Sequence, residues 1–205
     1  MLDWGLVEDF LGMVVTCDLR AHKIYITQEG YIDRILEKFG MLDCKPIDTP
    51  MDNDKPHARL REEESCDKEC YQQLIGSLRW IAVGARPDIS FNVSYLGHFG
   101  ADPSHQHWVC AKRVLRYLAG TRDLRLSLGG EIPSPISPCE FVDADFAGDT
   151  SSLKSTTGYP LLLGTGVVQW YSKRQSITGT STADAEFIAS ATAIQELVWF
   201  RHVVS

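Results

Sequence analysis

Carboxylates in the last third of the sequence are its strongest candidates for chemistry. Three aspartates lie within seven positions of FVDADFAGDT (residues 141–150), and two further carboxylates open the segment STADAEFIAS (residues 181–190). Carboxylate oxygens are ligands that Mg²⁺ prefers, and a bound divalent ion can activate water for phosphodiester hydrolysis. The same residues also suit surface turns and helix caps. Spacing alone favours that structural interpretation and leaves a metal site as the alternative.

Three short strands and one long helix are predicted to position these carboxylates. CEFVDA, TTGYPLLLG and VVQWYS are short segments separated by Gly, Ser and Thr, which is typical of strands, and LLGTGVV indicates a tight hairpin turn. The next segment predicts one helix, with Ser181 or Thr182 as its N-cap. If the first strand ends on its aspartates and this helix packs across the sheet, Asp143 and Glu186 face each other. The predicted helix has a face of small residues, formed by Ala185, Ile188, Ala189, Thr192 and Ala193.

The preceding residues predict a β-hairpin followed by helices. FLGMVVTC and KIYITQ indicate two paired strands. YIDRILEKF places its apolar residues on one helical face, and Gly40 suits the position after that helix. Residues 44–65 contain three prolines and no periodicity, which predicts a linker. Apolar residues at helical spacing predict further helices over 71–82 and 108–118, and Asp88 is the predicted N-cap of a helix between them.

The composition is that of an ordinary globular protein. Of 205 residues, 44% are hydrophobic and 23% are charged, which supports a real core. No apolar run approaches the roughly 18 residues that span a bilayer, and the start MLDWGLVEDF lacks the basic and apolar regions of a secretory signal. The six cysteines are scattered along the chain. We therefore expect reduced thiols, an intracellular location and no membrane partner.

Several stretches, taken together, resemble a known family. VDADFAGD, KSTTGYPLLLG, VVQWYSKRQ and STADAEFIA are similar, in this order, to the ribonuclease H domain of copia-type LTR retrotransposon Pol polyproteins. Upstream, YQQLIGSLRWIAVGARPDISFNVSYLGHF, HWVCAKRVLRYLAGT and the opening FLGMVV resemble the segment that follows the polymerase palm in the same polyproteins. The similarity runs through essentially the whole chain.

The resemblance implies a mixed α/β fold in three parts. Residues 1–50 would form the end of the reverse-transcriptase palm and the start of the thumb, and residues 51–130 a helical thumb and connection region. Residues 131–205 would form the N-terminal half of a ribonuclease H-like domain, in which a mixed sheet starts with three strands and continues into a helix. The activity implied is RNA-directed DNA synthesis together with metal-dependent hydrolysis of the RNA in RNA–DNA hybrids.

Matching motif to motif transfers the family's nuclease site to particular residues. The resemblance implies that Asp143 and Glu186 are catalytic metal ligands for Mg²⁺ or Mn²⁺, in a site that holds two metals only in the intact domain. Asp145 would be an auxiliary ligand, and it shares a face with Asp143 only if the strand is regular. Phe146, Phe187 and Asp184 stand where the family usually has Trp, Tyr and Glu; these mild changes leave the two ligands in place.

The family pattern continues beyond both ends of this sequence. The polymerase aspartates precede the segment around Phe10, and the third and fourth nuclease carboxylates follow the helix that ends near Ser205. We therefore expect little cleavage by this chain alone, and an unpaired strand edge that invites a homodimer. The expected partners are an RNA–DNA hybrid or template–primer duplex and the remaining Pol polypeptide, in a cytoplasmic virus-like particle or the nucleus. The alternative is a non-catalytic nucleic-acid- or protein-binding remnant.

Basic residues supply the candidate contacts to nucleic acid. The net charge of −7 argues against such binding, but a local basic stripe is enough to follow phosphates. Lys112, Arg113 and Arg116 flank the apolar stripe of a predicted helix and suit either a solvated face or contact with a template–primer duplex. Lys173 and Arg174, near the end of the third strand, would add a contact beside the nuclease site.

A second group of residues has the chemistry of zinc ligands. His105, His107 and Cys110 form an HxHxxC motif, and Cys66 and Cys70 precede it. A structural zinc site needs four ligands in tetrahedral geometry. The histidines lie at a predicted helix start, in a segment that resembles part of the polyprotein, and we therefore favour a structural role for them.

Overall fold

The computed structural model describes residues 5–52, 56–58, 64–130, 137–149 and 152–204. These residues form a mixed α/β fold, as predicted, with five α-helices and two antiparallel sheets. The chain divides into two compact units: Met1–Thr16 with Tyr25–Leu126, and Cys17–Ile24 with Ser127–Ser205. No helix in the described part of the chain is both long enough and apolar enough to cross a membrane.

The predicted N-terminal hairpin is present and belongs to the first sheet. Its turn is closed by the Asp18 carboxylate, which accepts hydrogen bonds from the backbone N–H groups of Arg20 and Ala21, each at 3.0 Å. Such a side-chain cap of a turn is a common role of aspartate. The strands lie in the order in which they occur in the chain: β1 (Asp9–Phe10), β2 (Met13–Asp18), β3 (Lys23–Thr27) and β4 (Leu126–Gly129).

The first unit is built around a helical core, and its helices were predicted from their apolar spacing. Tyr71, Leu74 and Leu78 are fully buried and lie on one face of a helix, as the i, i+3, i+7 spacing requires. Gly40, with φ +64°, follows the first helix as predicted, in a conformation that glycine adopts without strain. The helices are α1 (Glu29–Lys38), α2 (Lys68–Gly84), a 3₁₀ turn (Pro87–Ile89), α3 (Ser90–Gly97) and α4 (His105–Gly120).

The prediction that Asp88 caps the next helix was wrong. The residue before α3 is Ile89, and no side chain caps that helix. Asp88 instead accepts hydrogen bonds from the guanidinium of Arg86, at 2.9 Å from Nε and 2.7 Å from Nη2, and from the hydroxyl of Tyr117 at 2.8 Å. Arg86 also donates to the carbonyl oxygen and the hydroxyl of Thr121. This network ties the 3₁₀ turn to the end of α4.

The described parts of the predicted linker, residues 44–65, contain no helix and no strand longer than a single bridge at Ser65. Residues 53–55 and 59–63 of that linker lie outside the described residues.

The second unit contains an antiparallel sheet and a long helix, which follow one another along the chain in the predicted order. The first predicted strand is interrupted opposite a proline of the neighbouring strand. Phe141 donates its N–H to the carbonyl oxygen of Pro160 at 3.2 Å, but Pro160 has no N–H to donate in return. The pairing register with the neighbouring strand is nevertheless the same on both sides of this gap. The elements are β5 (Pro138–Glu140), β6 (Asp143–Asp149), β7 (Lys154–Leu163), β8 (Gly166–Arg174) and α5 (Thr182–Val204).

Helix α5 packs on the sheet through the small-residue face predicted for it. Ala185, Ala189 and Ala193 are fully buried, and Ala185 and Ala189 form one cluster with Ala144 of β6. Because alanine has no side chain beyond Cβ, the helix backbone can approach the sheet closely. In the described residues β6 pairs only with β7, so its other edge has no strand partner there.

Candidate functional site

Strand β6 carries the three aspartates of the FVDADFAGDT stretch: it begins at the first, Asp143, and ends at the third, Asp149. The expectation that the strand ends at Asp143 and Asp145 was wrong, since β6 continues to Asp149. The gap opposite Pro160 separates these aspartates from β5. Asp143 pairs with Gly158 and Asp145 with Thr156 in one register. The strand is regular between them, so their side chains lie on the same face.

A bulge follows Asp145 and shapes its surroundings. The register shifts between Asp145 and Asp149, and Ala147 adopts a φ of +51°. The N–H of Ala147 donates to the hydroxyl of Ser155 at 3.2 Å. A Cβ on Gly148 would lie 2.1 Å from the Asp145 Oδ2. Glycine at position 148 therefore lets the Asp145 carboxylate lie directly against the bulge backbone.

The face of β6 that contacts α5 is the one opposite the first two aspartates. Ala144 is buried against the helix, and Val142 packs beside it. Alternation along the strand places Asp143 on the other face, where it is exposed, so the expectation that Asp143 faces the helix that carries Glu186 was wrong. Glu186 lies half-buried on α5, next to the fully buried Ala185. In the described residues no group of three or more His, Cys, Asp or Glu side chains can hold a metal ion, and the metal-binding role of Asp143, Asp145 and Glu186 stays a prediction.

The third aspartate of the stretch is buried and forms an ion pair. Asp149 is 4% exposed and pairs with Arg174 of β8. The hydroxyl of Ser152 also donates to Asp149 Oδ2, at 2.7 Å. The charge of Arg174, a predicted phosphate contact, is thus partly neutralised by Asp149, whereas Lys173 is exposed.

The basic residues of α4 hold part of the predicted linker. Arg113 forms an ion pair with Asp52 at 3.1 Å and donates to the hydroxyl of Thr49 at 2.9 Å. Arg116 donates from Nε to the carbonyl oxygen of Lys45 at 2.8 Å. Lys112 lies over the ring of Trp108, with its Nζ 5.2 Å from the centroid. Of the three predicted phosphate contacts on this helix, two are therefore committed to contacts within the protein.

His107, a candidate zinc ligand in the sequence, is part of the first unit's core. It is fully buried, and its ring stacks on Phe99 with the centroids 4.1 Å apart. Its Nδ1 accepts the backbone N–H of Ser104 at 2.8 Å, while the hydroxyl of Ser104 accepts the N–H of His107. This reciprocal pair caps α4 as a capping box does, with histidine in the position usually held by Glu or Gln. His105 is exposed.

The N-terminus of α5 is capped as predicted. The hydroxyl of Ser181 accepts the N–H of Asp184 at 3.1 Å. Asp184 in turn accepts the N–H of Thr180 at 3.0 Å and its hydroxyl at 2.5 Å. These donors to the carboxylate, led by the Thr180 hydroxyl, lower the pKa of Asp184.

We expect Thr180→Val to raise the pKa of Asp184 towards its ordinary value. Because the pKa of Asp184 is lowered in the folded state, the cap stabilises the helix above the unfolded-state pKa, and this contribution is lost as the pH falls through the folded-state pKa. An NMR titration of the Asp184 carboxyl carbon measures the shift. Thr178→Val, two positions earlier, is the matched control. An unchanged titration in Thr180→Val would contradict the assignment of these hydrogen bonds as the cause.

Gln175 is a structural residue that sequence reasoning missed. It is 6% exposed, and its Nε2 donates both to the Thr157 hydroxyl at 3.1 Å and to the carbonyl oxygen of Ala185 at 2.9 Å. Its own N–H donates to the carbonyl oxygen of Ser155 at 2.8 Å. One side chain thus joins β7 to the first turns of α5, which sets where Glu186 lies relative to the sheet. A glutamine after two basic residues gives no local signal of burial.

Comparisons with known proteins identify the family. The chain is 35% identical to the retrovirus-related Pol polyprotein from transposon TNT 1-94 of Nicotiana tabacum, over 98% of this chain and 15% of that protein. It is 35% identical to the corresponding polyprotein from transposon RE2 of Arabidopsis thaliana, over 86% of this chain and 12% of that protein. An uncharacterized mitochondrial protein of Arabidopsis thaliana is 33% identical over 97% of this chain and 80% of its own length.

No family model and no solved structure matches the chain. This chain spans 15% of the length of the tobacco polyprotein. The two named polyproteins match 98% and 86% of this chain. The chain therefore belongs to the family of retrovirus-related Pol polyproteins of copia-type transposons.

Proposed function

We propose that the second unit is the first part of a ribonuclease H-type nuclease, which in the intact polyprotein hydrolyses the RNA strand of RNA–DNA hybrids. The observation that carries this proposal is the order of elements: antiparallel strands β5/β6, β7 and β8, followed by α5 packed through its alanines. An aspartate at the start of β6 and a glutamate in the second turn of α5 are the acidic residues to which the motif resemblance assigns the nuclease ligands.

Mg²⁺ or Mn²⁺ is the proposed cofactor, with Asp143 and Glu186 as ligands and Asp145 as an auxiliary one. Their oxygens are the right donors for a hard divalent ion, and such an ion, when bound, supplies an activated water. The described residues do not complete a site by themselves, since they contain no three-ligand group. Further ligands would come from the rest of the polyprotein, and we therefore expect this chain alone to cleave little or no hybrid.

The first unit is proposed to be the thumb and connection region of the reverse transcriptase. Its contact with a template–primer duplex would involve Lys112, because Arg113 and Arg116 are already engaged with Asp52 and Lys45. In the second unit the corresponding contact would be made by the exposed Lys173. A positive charge at these positions would bind phosphates without reading sequence.

Paramagnetic broadening by Mn²⁺ tests the proposed metal ligands directly. Substoichiometric Mn²⁺ added to the isotopically labelled chain is expected to broaden the amide resonances around Asp143 and Glu186 first. Asp143→Asn should remove most of that broadening, since an amide is a much poorer ligand than a carboxylate. Asp123→Asn, at an exposed position of the first unit, is the matched control. Broadening centred elsewhere, or unchanged in Asp143→Asn, would overturn the assignment.

Cleavage of an end-labelled RNA–DNA hybrid separates the nuclease from a non-catalytic remnant. We expect none from the chain alone, with circular dichroism showing that it is folded. Cleavage that Asp143→Asn abolishes would show that the chain, or a dimer of it, already supplies enough carboxylates. Absence of both Mn²⁺ binding and hybrid binding in a folded chain would favour a remnant that has lost the nuclease function.

A further inference from the structure

A groove in the second unit lies between β8 and the second half of α5. Its volume is about 690 Å³, which is in the range of small-ligand and side-chain sites. None of the residues discussed as nuclease ligands lines it. The lining residues are Val168, Gln169, Gln195, Glu196, Trp199 and Phe200.

The groove contains a carboxylate, which lies on α5 about one turn beyond the alanine face of that helix. Glu196 follows the buried Ala185, Ala189 and Ala193 on α5, and its Oε2 accepts a hydrogen bond from Gln169 Nε2 at 3.2 Å. No Lys, Arg or His in the described part of the chain forms an ion pair with it. The only polar partner described for this carboxylate is therefore a neutral amide.

A second carboxylate near Glu196 also has a negative charge, which no cation among its described neighbours balances. Glu140 of β5 has one side-chain oxygen that is buried and has no hydrogen-bond partner in the described residues. Its pKa is raised by burial and, secondarily, by the nearby charge of Glu196. Burial, and then Glu196, also raises the pKa of Tyr159. A cation beside Glu196 would relieve this repulsion.

An exposed aromatic ring completes the chemistry of the groove. Trp199 is 58% exposed although it is the largest apolar side chain of the lining. It lies three positions after Glu196, so both side chains occupy one side of the helix. A guanidinium can pair with a carboxylate through two hydrogen bonds and stack on an indole at the same time. A lysine ammonium is a compact point charge without a planar fork, so it cannot make the bidentate pairing and the planar stacking at the same time.

We propose that this groove binds a basic peptide segment of another protein, with one arginine side chain placed between Glu196 and Trp199. Charge complementarity selects this occupant: the groove offers a carboxylate and two amides, and none of the described residues that line it is cationic, so phosphate groups are disfavoured. The site is separate from the proposed metal ligands, and its test does not depend on nuclease activity.

Titration with an amidated hexa-arginine peptide tests the groove. Calorimetry at low salt should give binding in the micromolar range, with the NMR signal of the Trp199 indole N–H shifted by the peptide. Glu196→Gln, which keeps the side-chain shape, is expected to weaken binding about fivefold or more, as is Trp199→Ala. Hexa-lysine should bind more weakly than hexa-arginine.

A matched charge variant distinguishes the groove from general attraction to an acidic protein. Glu37→Gln removes one exposed negative charge from α1, in the other unit. Equal weakening by Glu37→Gln and Glu196→Gln would overturn the proposal, as would a Trp199 indole signal that does not move while the peptide binds. Far-ultraviolet circular dichroism of Glu196→Gln establishes that the variant is folded, so that either outcome is decisive.

Discussion

Arg86→Leu is expected to lower the free energy of unfolding of the first unit by about 3 kcal/mol, because breaking a buried ion pair leaves its partners uncompensated. The Arg86 side chain is only 3% exposed and contacts Asp88 through two nitrogens. It also satisfies the carbonyl oxygen and hydroxyl of Thr121. Leucine fills a similar volume but donates no hydrogen bond. Urea unfolding followed by circular dichroism measures the loss.

Two further variants show whether geometry or charge carries this effect. Arg86→Lys keeps the charge but cannot reproduce the bidentate contact. Its free energy of unfolding should therefore lie between those of the wild type and Arg86→Leu. Arg79→Leu, at an exposed position of α2, should change the free energy of unfolding by no more than about 0.5 kcal/mol. If Arg86→Leu were as stable as Arg79→Leu, the network would not hold the end of α4.

His107→Ala is expected to cost the first unit a similar amount, about 3 kcal/mol. The substitution removes a fully buried ring stacked on Phe99 and leaves a cavity. It also leaves the backbone N–H of Ser104 without the Nδ1 that accepts it, which is an added cost in a buried position. Thermal and urea unfolding give the size of the loss.

The neighbouring histidine of the same motif provides the control. His105 is exposed at the first position of α4, and His105→Ala should leave the free energy of unfolding nearly unchanged. Adding a zinc chelator should affect neither the wild type nor either variant if the histidine acts through packing and capping. Stability that falls with the chelator, and equally in both variants, would instead indicate a metal site.

Local patterns in the sequence were enough to predict most elements. The N-terminal hairpin, the helix stop at Gly40 and the Ser181 cap depend on residues within a few positions of one another, so periodicity and cap chemistry identify them. The alanine face of α5 was predicted for the same reason: the spacing of Ala185 and Ala189 alone places them on one side of a helix.

What the sequence did not predict depends on distant partners. Asp88 has the local appearance of an N-cap, but Arg86 and Tyr117 compete for it, and the latter is 29 positions away. The start of β6 is decided by Pro160 on the neighbouring strand. The contacts that the arginines of α4 make within the protein were not predicted, because their partners, Asp52 and Lys45, lie in a segment without periodicity. The metal ligands were inferred only from the resemblance of short motifs to the family, and they stay a prediction.

The contacts between α4 and the linker also govern when the first unit can be assembled. Arg113 and Arg116 of α4 reach Thr49 and Lys45, 64 and 71 positions earlier in the chain, and Arg122, just after α4, reaches the carbonyl oxygen of Leu42, 80 positions earlier. Contacts of such high sequence separation form late, because a long loop must close before they are made. During synthesis, residues 42–52 must therefore wait until α4 has left the ribosome. A nascent chain arrested before residue 113 should expose this segment to protease, and one arrested well after residue 122 should protect it.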